Sequence, residues 1–188
     1  EREGGVNLLI NNAGIGDYFL FEDQDPEIIK DILDVNLKAP MLLTQTLLPL
    51  LVKEPKAEII NTGSIFGYIG YPGFVAYCAS KFGLRGFTQA LRRELSDTTV
   101  KVRYFAPRAT RTTFNTDNIT EMNMKLGNAM DLPEKVAKKF ITFLSNNNYQ
   151  KKIGAKESFF VLVNKLFPKL PDIAIGKQLK TIKKYLNK

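Results

Sequence analysis

Short segments rich in apolar residues alternate along this chain with longer segments in which apolar residues have helical spacing. The short segments lie at residues 6–10, 57–62 and 99–105, with a weaker one at 149–153. A short apolar-rich segment bounded by turn residues predicts a strand that is buried on both faces. Apolar residues at three- and four-residue steps predict helices over residues 26–52 and 74–95.

The first long helix has a clear start and two weak points. Asp25 is a typical N-cap residue, and Pro26 suits the first helical position because the missing N–H would have no helical partner there. Pro40 and Pro49 lie inside the periodic segment. Since proline removes a backbone hydrogen bond, we expect a bend or a break at these positions.

The second half of the chain is less regular. Residues 108–130 are polar without a clear period, which predicts a long loop or lid. Asp131 and Glu134 have the spacing of a capping box before a helix over residues 135–144. Beyond the weak fourth strand, the pattern predicts two short amphipathic helices separated at Pro168 and Pro171.

The alternation of buried strands and helices predicts an α/β protein with a parallel sheet covered on both faces. Ligands of such sheets bind beyond the carboxyl ends of the strands. Three strand ends carry polar or glycine-rich turns, at residues 11–14, 63–64 and 107–112. The sequence therefore predicts a binding site at this edge of the sheet.

Composition limits the chemistry. A chain of 188 residues is long enough for one core, and the absence of histidine excludes Ser-His-Asp and Cys-His catalysis and histidine-based zinc sites. We therefore expect no metal site, and any general acid must be Tyr, Lys, Asp, Glu or Cys. The single cysteine, Cys78, excludes an internal disulfide and fits a reducing compartment such as the cytoplasm.

The net charge of +8 is confined to the end of the chain. Residues 1–150 have 17 basic and 17 acidic side chains, whereas residues 151–188 have ten lysines against Glu157 and Asp172. Either this is a solvated lysine face or it attracts an acidic partner such as anionic lipid. Nucleic acid is not expected, because the tail has no aromatic stacking platform.

The tail also carries an apolar repeat at Ile175, Leu179, Ile182 and Leu186. This face would either pack against the body of the protein or lie on an anionic membrane as part of a basic amphipathic helix. Apolar residues within 158–167 would form a lid over a hydrophobic substrate. Packing and peripheral membrane contact both stay open at this point.

Tyr77 and Lys81 are four residues apart in a predicted helix and therefore share one face. An ammonium close to a phenol favours the phenolate and would lower the phenol pKa, which suits proton transfer to a carbonyl oxygen. Ser64 follows the preceding strand and would polarise the same oxygen. The spacing alone is weak, because a packed tyrosine and an exposed helix lysine produce the same pattern.

Five motifs occur together in one order. They are NNAG at residues 11–14, Asn36 in DVNLKAP, Ser64 in NTGSIFG, YCASK at 77–81 and PRATRT at 107–112. In this order and spacing, residues 5–145 resemble the short-chain dehydrogenase/reductase family. The resemblance implies a Rossmann-like doubly wound parallel sheet, here its C-terminal part with about four strands. It also implies an NAD(P)-dependent oxidoreductase that interconverts a ketone and a secondary alcohol.

The resemblance assigns the catalytic roles to four residues. Tyr77 would be the acid/base, and Lys81 would lower the pKa of Tyr77 and hold the nicotinamide ribose. Ser64 would orient the substrate oxygen. Asn36 would hold a water that links Lys81 to solvent in a proton relay.

The cofactor expected from the resemblance is NADP or NAD, with NADP slightly favoured. Besides Tyr77 and Lys81, its contacts would come from two turns. The residues implied are Asn11, Ala13 and Gly14 on the adenosine side, and Pro107, Thr110 and Thr112 at the nicotinamide.

The sequence departs from the family pattern in two places. Arg108 stands where a glycine usually follows the proline, and Arg108 or Arg111 would then reach a phosphate or an acidic substrate group. Nothing before Val6 resembles the glycine-rich turn that cradles the cofactor pyrophosphate. We therefore expect the native polypeptide to be longer and the strand at residues 6–10 to be an exposed apolar edge.

The expected organisation is one Rossmann-like portion over residues 1–150, with a basic amphipathic extension over 151–188 packed on the same domain. Partners would be a small carbonyl or alcohol substrate, one of hydrophobic character, and further copies of the chain. Helices 26–52 and 74–95 would form a homodimer or homotetramer. The alternative is a catalytically silent scaffold, or a membrane-associated module, that lacks the cofactor half.

Overall fold

The computed structural model describes residues 5–186. Its sheet has four strands, all parallel, in the order β1-β2-β3-β4. The strands are β1 (Leu8–Asn11), β2 (Ala57–Thr62), β3 (Val100–Ala106) and β4 (Gln150–Lys152). The predicted α/β class, with a Rossmann-like parallel sheet, is confirmed.

Seven α-helices connect and flank these strands in the described part of the chain. They are α1 (Pro26–Leu33), α2 (Ala39–Leu51), α3 (Val75–Glu94), α4 (Asp117–Lys125), α5 (Pro133–Leu144), α6 (Ala155–Leu166) and α7 (Lys169–Leu186). None of the helices described between residues 5 and 186 is both long and apolar enough to cross a bilayer.

Both faces of the sheet are covered because successive strand residues point to opposite sides. Ile59 packs with Leu91 of α3 and Leu51 of α2 on one face. Its neighbour Ile60 packs with Phe143 of α5 on the other. The core is therefore two apolar layers separated by the sheet, and this holds the carboxyl ends of the strands in place.

At the free edge of the sheet, β1 pairs only with β2 among the described residues. The side chains of Leu8 and Ile10 are 42% and 39% exposed. An exposed apolar edge strand was expected from the sequence, and the structure contains one.

The predicted helix over residues 26–52 is interrupted, as expected, but by a π-helical turn. Asp25 caps α1 by accepting a hydrogen bond from the Glu27 N–H. The π-turn spans Asp34–Lys38, and the Ala39 N–H donates to the Asp34 carbonyl. Pro40 has no N–H for the carbonyl four residues earlier, which favours this wider turn.

Three predictions for the second half were wrong. Residues 108–130 are not one long loop, because they contain α4, capped by the Thr116 hydroxyl. Asp131 does not cap α5, which starts after Leu132 without a side-chain cap. Helix α7 is not short: it runs for 18 residues with Pro171 in its first turn, where proline is tolerated.

Candidate active site

A cavity of about 670 Å³ opens at the carboxyl ends of the strands. Its floor is built from the three predicted turns, and α3 supplies one side. The floor and α3 contribute Asn12, Gly14, Thr62, Gly63, Ser64, Tyr77, Lys81, Pro107, Arg108, Thr110 and Thr112. The cavity therefore lies at the edge of the sheet that the sequence predicts as the binding site.

Tyr77 and Lys81 converge in this cavity from successive turns of α3. The Lys81 ammonium lies 5.7 Å from the centre of the Tyr77 ring. The Ser64 hydroxyl lines the same cavity and lowers the pKa of the Tyr77 phenol, in opposition to burial. Ser64 is held in turn because its hydroxyl accepts from the Phe66 N–H at 3.1 Å, at the start of a 3₁₀ turn. The Tyr77 phenol, the Lys81 ammonium and the Ser64 hydroxyl thus line the same cavity.

The Lys81 ammonium is almost completely buried, with 3% of the residue exposed. Its nitrogen donates to the Thr62 carbonyl at 3.1 Å, and no carboxylate within residues 5–186 pairs with it. Burial disfavours the charged form and lowers the pKa of Lys81 to about 8. The group therefore changes charge close to physiological pH.

The pKa of Tyr77 moves in the direction opposite to the one expected from the sequence. Burial raises it to about 12, and the Ser64 hydroxyl only partly opposes this. Since Lys81 lies beside the ring and is bound to Thr62, its charge does not offset the loss of hydration. The phenol is held as a proton donor in this state of the site.

Asn36 lies in the π-turn and is fully buried. Its side chain holds the loop at Ile15, next to Gly14 in the floor of the cavity. Its amide nitrogen donates to the Ile15 carbonyl and to the Ser80 hydroxyl, and its oxygen accepts from the Ile15 N–H. A methyl group added to Gly14 would lie 3.2 Å from both the Asn36 oxygen and the Lys81 nitrogen. Asn36 thus fixes the loop that borders Lys81, although it does not line the cavity itself.

Asn11 and Ala13 also lie outside the cavity lining. The Asn11 amide donates to Asn61 at 2.8 Å and to Thr44 at 3.3 Å, so its side chain ties β1 to β2 and α2. Ala13 is exposed. Their neighbour Asn12, which the motif contains but sequence reasoning passed over, does line the cavity.

The turn after β3 lines the cavity through Pro107, Thr110 and Thr112, as expected. Arg108 does not reach out for a phosphate. Its guanidinium makes two hydrogen bonds to Asp131 at 2.9 Å and also pairs with Glu157 at 3.2 Å. This pairing holds the pKa of Asp131 at about 2. Arg108 therefore locks the turn to the start of α5 and to α6.

The outer wall of the cavity is apolar, and sequence reasoning found little of it. It contains Phe66, Tyr71, Phe74, Phe114, Ile119, Met122, Leu126, Phe159, Phe160 and Ile175. Most of these residues come from α4, α6, α7 and the loop before α3. The residues of α4 were missed because that helix was not predicted, whereas the proposed lid within residues 158–167 pointed to Phe159 and Phe160.

Two features of the floor provide polar contacts of the kind that a nicotinamide ribose would need. The Thr62 hydroxyl is buried beside Lys81 and has no hydrogen-bond partner among the described residues. Gly14 leaves room next to the same ammonium for a polar ligand. Donors and acceptors on a close-fitting backbone are what a ribose and a carboxamide require.

The family model for short chain dehydrogenases matches residues 1–123. Among curated proteins, the chain is 38% identical over 116 residues to dehydrogenase/reductase SDR family member 4 of Bos taurus. That match covers 61% of this chain and 42% of the bovine protein. It is 27% identical over 176 residues to SDR family member 7 of Homo sapiens, covering 91% of this chain and 52% of the human protein. The chain thus spans about half, or less, of these relatives.

A solved structure extends the likeness to the fold. A short chain dehydrogenase from Burkholderia cenocepacia in complex with NADP superposes with a TM-score of 0.76 at 21% identity. The match covers 92% of this chain and 71% of that one. The motifs, the parallel sheet and the family match over residues 1–123 agree, and the chain belongs to the short-chain dehydrogenase family.

Proposed function

We propose that the protein is an NAD(P)-dependent oxidoreductase that interconverts a hydrophobic ketone and its secondary alcohol. The observation that carries this proposal is the convergence of Tyr77, Ser64 and Lys81 at one end of a cavity with an apolar wall. NADP is favoured slightly over NAD. The intact group of three polar residues supports an enzyme rather than a silent scaffold.

Each residue would have a separate task in carbonyl reduction. The bound nicotinamide supplies the hydride. The Ser64 hydroxyl donates a hydrogen bond to the carbonyl oxygen and stabilises the negative charge that grows there. The Tyr77 hydroxyl gives its proton to the same oxygen, and the Lys81 ammonium stabilises the phenolate that remains. In alcohol oxidation the proton moves in reverse.

Asn36 and the two turns would fix the position of the cofactor relative to Lys81. Lys81, Asn12, Gly14 and Thr62 would surround the ribose, while Pro107, Thr110 and Thr112 would meet the carboxamide. Asn36 fixes the loop at Ile15 and so positions Gly14 beside the ammonium. A water held near Asn36 would connect Lys81 with solvent.

The lining of the cavity supports a neutral, hydrophobic substrate. Aromatic and aliphatic side chains from α4, α6 and α7 form most of the wall. The positive charge of Arg108 is neutralised by ion pairs with Asp131 and Glu157, so Arg108 would attract an acidic substrate only weakly. Ile182 and Leu186 of α7 pack in the same cluster as Tyr77. The C-terminal extension would therefore work as part of the same domain.

Exposed apolar residues on α2 and α3 support a homodimer or homotetramer. Met41, Leu42 and Leu43 are 42–52% exposed, and Val75 and Phe82 are 44% and 37% exposed. Placing a charge at Leu42 by Leu42→Glu would then lower the mass measured by light scattering.

The test of the reaction is Tyr77→Phe, with Tyr71→Phe as the matched control because Tyr71 also lines the cavity. Turnover of hydrophobic ketones is followed by the absorbance of NADPH or NADH. Loss of the proton donor should reduce kcat by about 10²–10⁴-fold and leave cofactor affinity unchanged. The control should stay within a few-fold of the wild type. Wild-type turnover by Tyr77→Phe would overturn the proposal.

A further inference from the structure

The two C-terminal helices carry a second apolar stripe that is not used in the core. The inner face of α7 is buried through Ile182 and Leu186, as the packing alternative from the sequence predicts. The outer stripe, called here the tail stripe, is 51–67% exposed at every position. It consists of Phe159, Leu162, Leu166, Phe167, Leu170 and Ile173.

The tail stripe lies on two consecutive helices that pack against each other. Phe159, Leu162 and Leu166 follow steps of three and four residues and so share one face of α6. Leu170 and Ile173 share one face at the start of α7. Phe167 lies at the short connection between the two helices. Contiguous exposed apolar side chains of this kind mark an interaction surface.

Lysines are the most frequent charged residues on the helices that carry this stripe. The exposed lysines of the same two helices and the preceding strand are Lys151, Lys156, Lys165, Lys169, Lys177, Lys180, Lys183 and Lys184. Only Glu157 and Asp172 oppose them in this part of the chain, and Glu157 is paired with Arg108. An apolar strip with a cationic rim is complementary to a bilayer that has anionic headgroups.

The stripe also reaches the candidate active site. Phe159 belongs to the tail stripe and at the same time lines the cavity, as do Phe160 on α6 and Ala174 and Ile175 on α7. The helices that present the stripe therefore also border the cavity. A hydrophobic compound dissolved in a bilayer would meet the opening without crossing water.

We propose that α6 and α7 dock the protein on the surface of an anionic membrane, with the tail stripe inserted among the lipids and the lysines at the headgroups. A second copy of the chain is a poorer occupant. A symmetric dimer would place the same patch against itself and bring two lysine-rich rims together. Docking does not depend on catalysis, so it is tested without turnover.

The test is flotation of the full chain with vesicles of phosphatidylcholine, alone or mixed with phosphatidylserine, at low and high salt. The wild type should float with the anionic vesicles and lose binding at high salt. Phe167→Ser with Leu170→Ser should reduce partitioning by roughly tenfold or more, because apolar side chains drive insertion. The matched control is Leu132→Ser with Ile141→Ser, which removes two equally exposed apolar side chains on and beside α5.

A second pair of variants tests the charge. Lys165→Gln with Lys169→Gln should weaken binding to anionic vesicles by roughly 25-fold, because each lysine near the surface contributes about five-fold. Lys53→Gln with Lys56→Gln changes the net charge equally at a distant exposed loop and should have a much smaller effect. Binding to neutral vesicles should not distinguish the two pairs.

Three results would overturn the proposal. One is failure of the wild type to float with anionic vesicles. Another is equal loss of flotation by the tail and control variants. The third is a lipid-free dimer, seen by light scattering, that dissociates in Phe167→Ser with Leu170→Ser. That last result would assign the tail stripe to a second copy of the chain.

Discussion

Replacing Lys81 by methionine should make the protein more stable at neutral pH, although Lys81 lies at the centre of the candidate site. The ammonium is 3% exposed and has one described hydrogen bond, to the Thr62 carbonyl. Burial without a counter-charge disfavours the charged folded form. Methionine has a similar length and no charge, so it removes this unfavourable contribution.

The magnitude follows from the change in pKa. Lowering the pKa of Lys81 from 10.5 to about 8 corresponds to roughly 3 kcal/mol of lost stability at pH 7. Loss of the hydrogen bond to Thr62 offsets about 1 kcal/mol of the gain. The net stabilisation by Lys81→Met at pH 7 should therefore be about 2 kcal/mol.

The direction in which wild-type stability changes with pH follows from the difference in proton binding between the folded and unfolded chains. Between pH 8 and 10.5 the unfolded chain binds more protons at Lys81 than the folded chain does, so wild-type stability from this site rises with pH in that window. The penalty is fully present below pH 8. By about pH 9.5 it should have fallen by about 2 kcal/mol, which removes most of the advantage of methionine.

Urea unfolding of the wild type and Lys81→Met at pH 7 and at about pH 9.5 measures this difference directly. Lys138→Met is the matched control, because it removes a lysine that is exposed rather than buried. A variant less stable than the wild type at pH 7, or a difference unchanged between the two pH values, would show that Lys81 is not destabilised by burial. Turnover by Lys81→Met should nevertheless be lost.

Three further changes test other parts of the site. Ser64→Ala should lower kcat by about 10²–10³-fold with little change in KM, because its bond to the substrate oxygen strengthens in the transition state; steady-state kinetics with a saturating cofactor measures this, and an unchanged kcat would contradict it. Arg108→Met should cost about 1–2 kcal/mol above pH 4 in urea unfolding. That cost should fade as the pH drops through the pKa of Asp131 near 2, because only the ionised carboxyl benefits from the arginine; a loss that persists at the lowest pH would point to packing instead. Gly14→Ala should weaken NADPH binding several-fold in fluorescence titrations, since the added methyl group meets Lys81; unaltered affinity would place the cofactor elsewhere.

Buried strands and the long helix α3 could be predicted from the sequence because their signals are local. The run AEIINT defines β2 as the structure has it, Ala57–Thr62. Helix α3 was predicted within one residue at each end. By contrast, α4 has nine residues and only Ile119 and Met122 as buried apolar side chains, too few to show a helical period.

The floor of the site could be predicted, whereas its wall and its electrostatics could not. Motif order placed Ser64, Tyr77 and Lys81 together, and the structure brings them to one cavity. The side chain of Asn11 is directed into a network with Asn61 and Thr44, which depends on strand pairing that no motif reveals. The rise in the Tyr77 pKa depends on burial, which spacing along a helix does not report.

The sequence indicated only part of the tail stripe, as a lid within residues 158–167, and its continuation into α7 was missed for a related reason. Ile182 and Leu186 lie on one continuous helix, so their period was visible in the sequence and predicted a packed face. The tail stripe passes from α6 to α7 across a break near Pro168. A break between two helices destroys the period, although the two helices pack against each other.

The π-turn at Asp34–Lys38 determines which side of α2 faces the sheet. Deleting one residue there would allow a regular helix, yet each residue accounts for about 100° of rotation. Thr44 would then swing away from Asn11, and a different side of α2 would meet the sheet. The wide turn thus acts as a spacer that aligns two helical segments, and a gain in local regularity would be outweighed by the loss of that alignment.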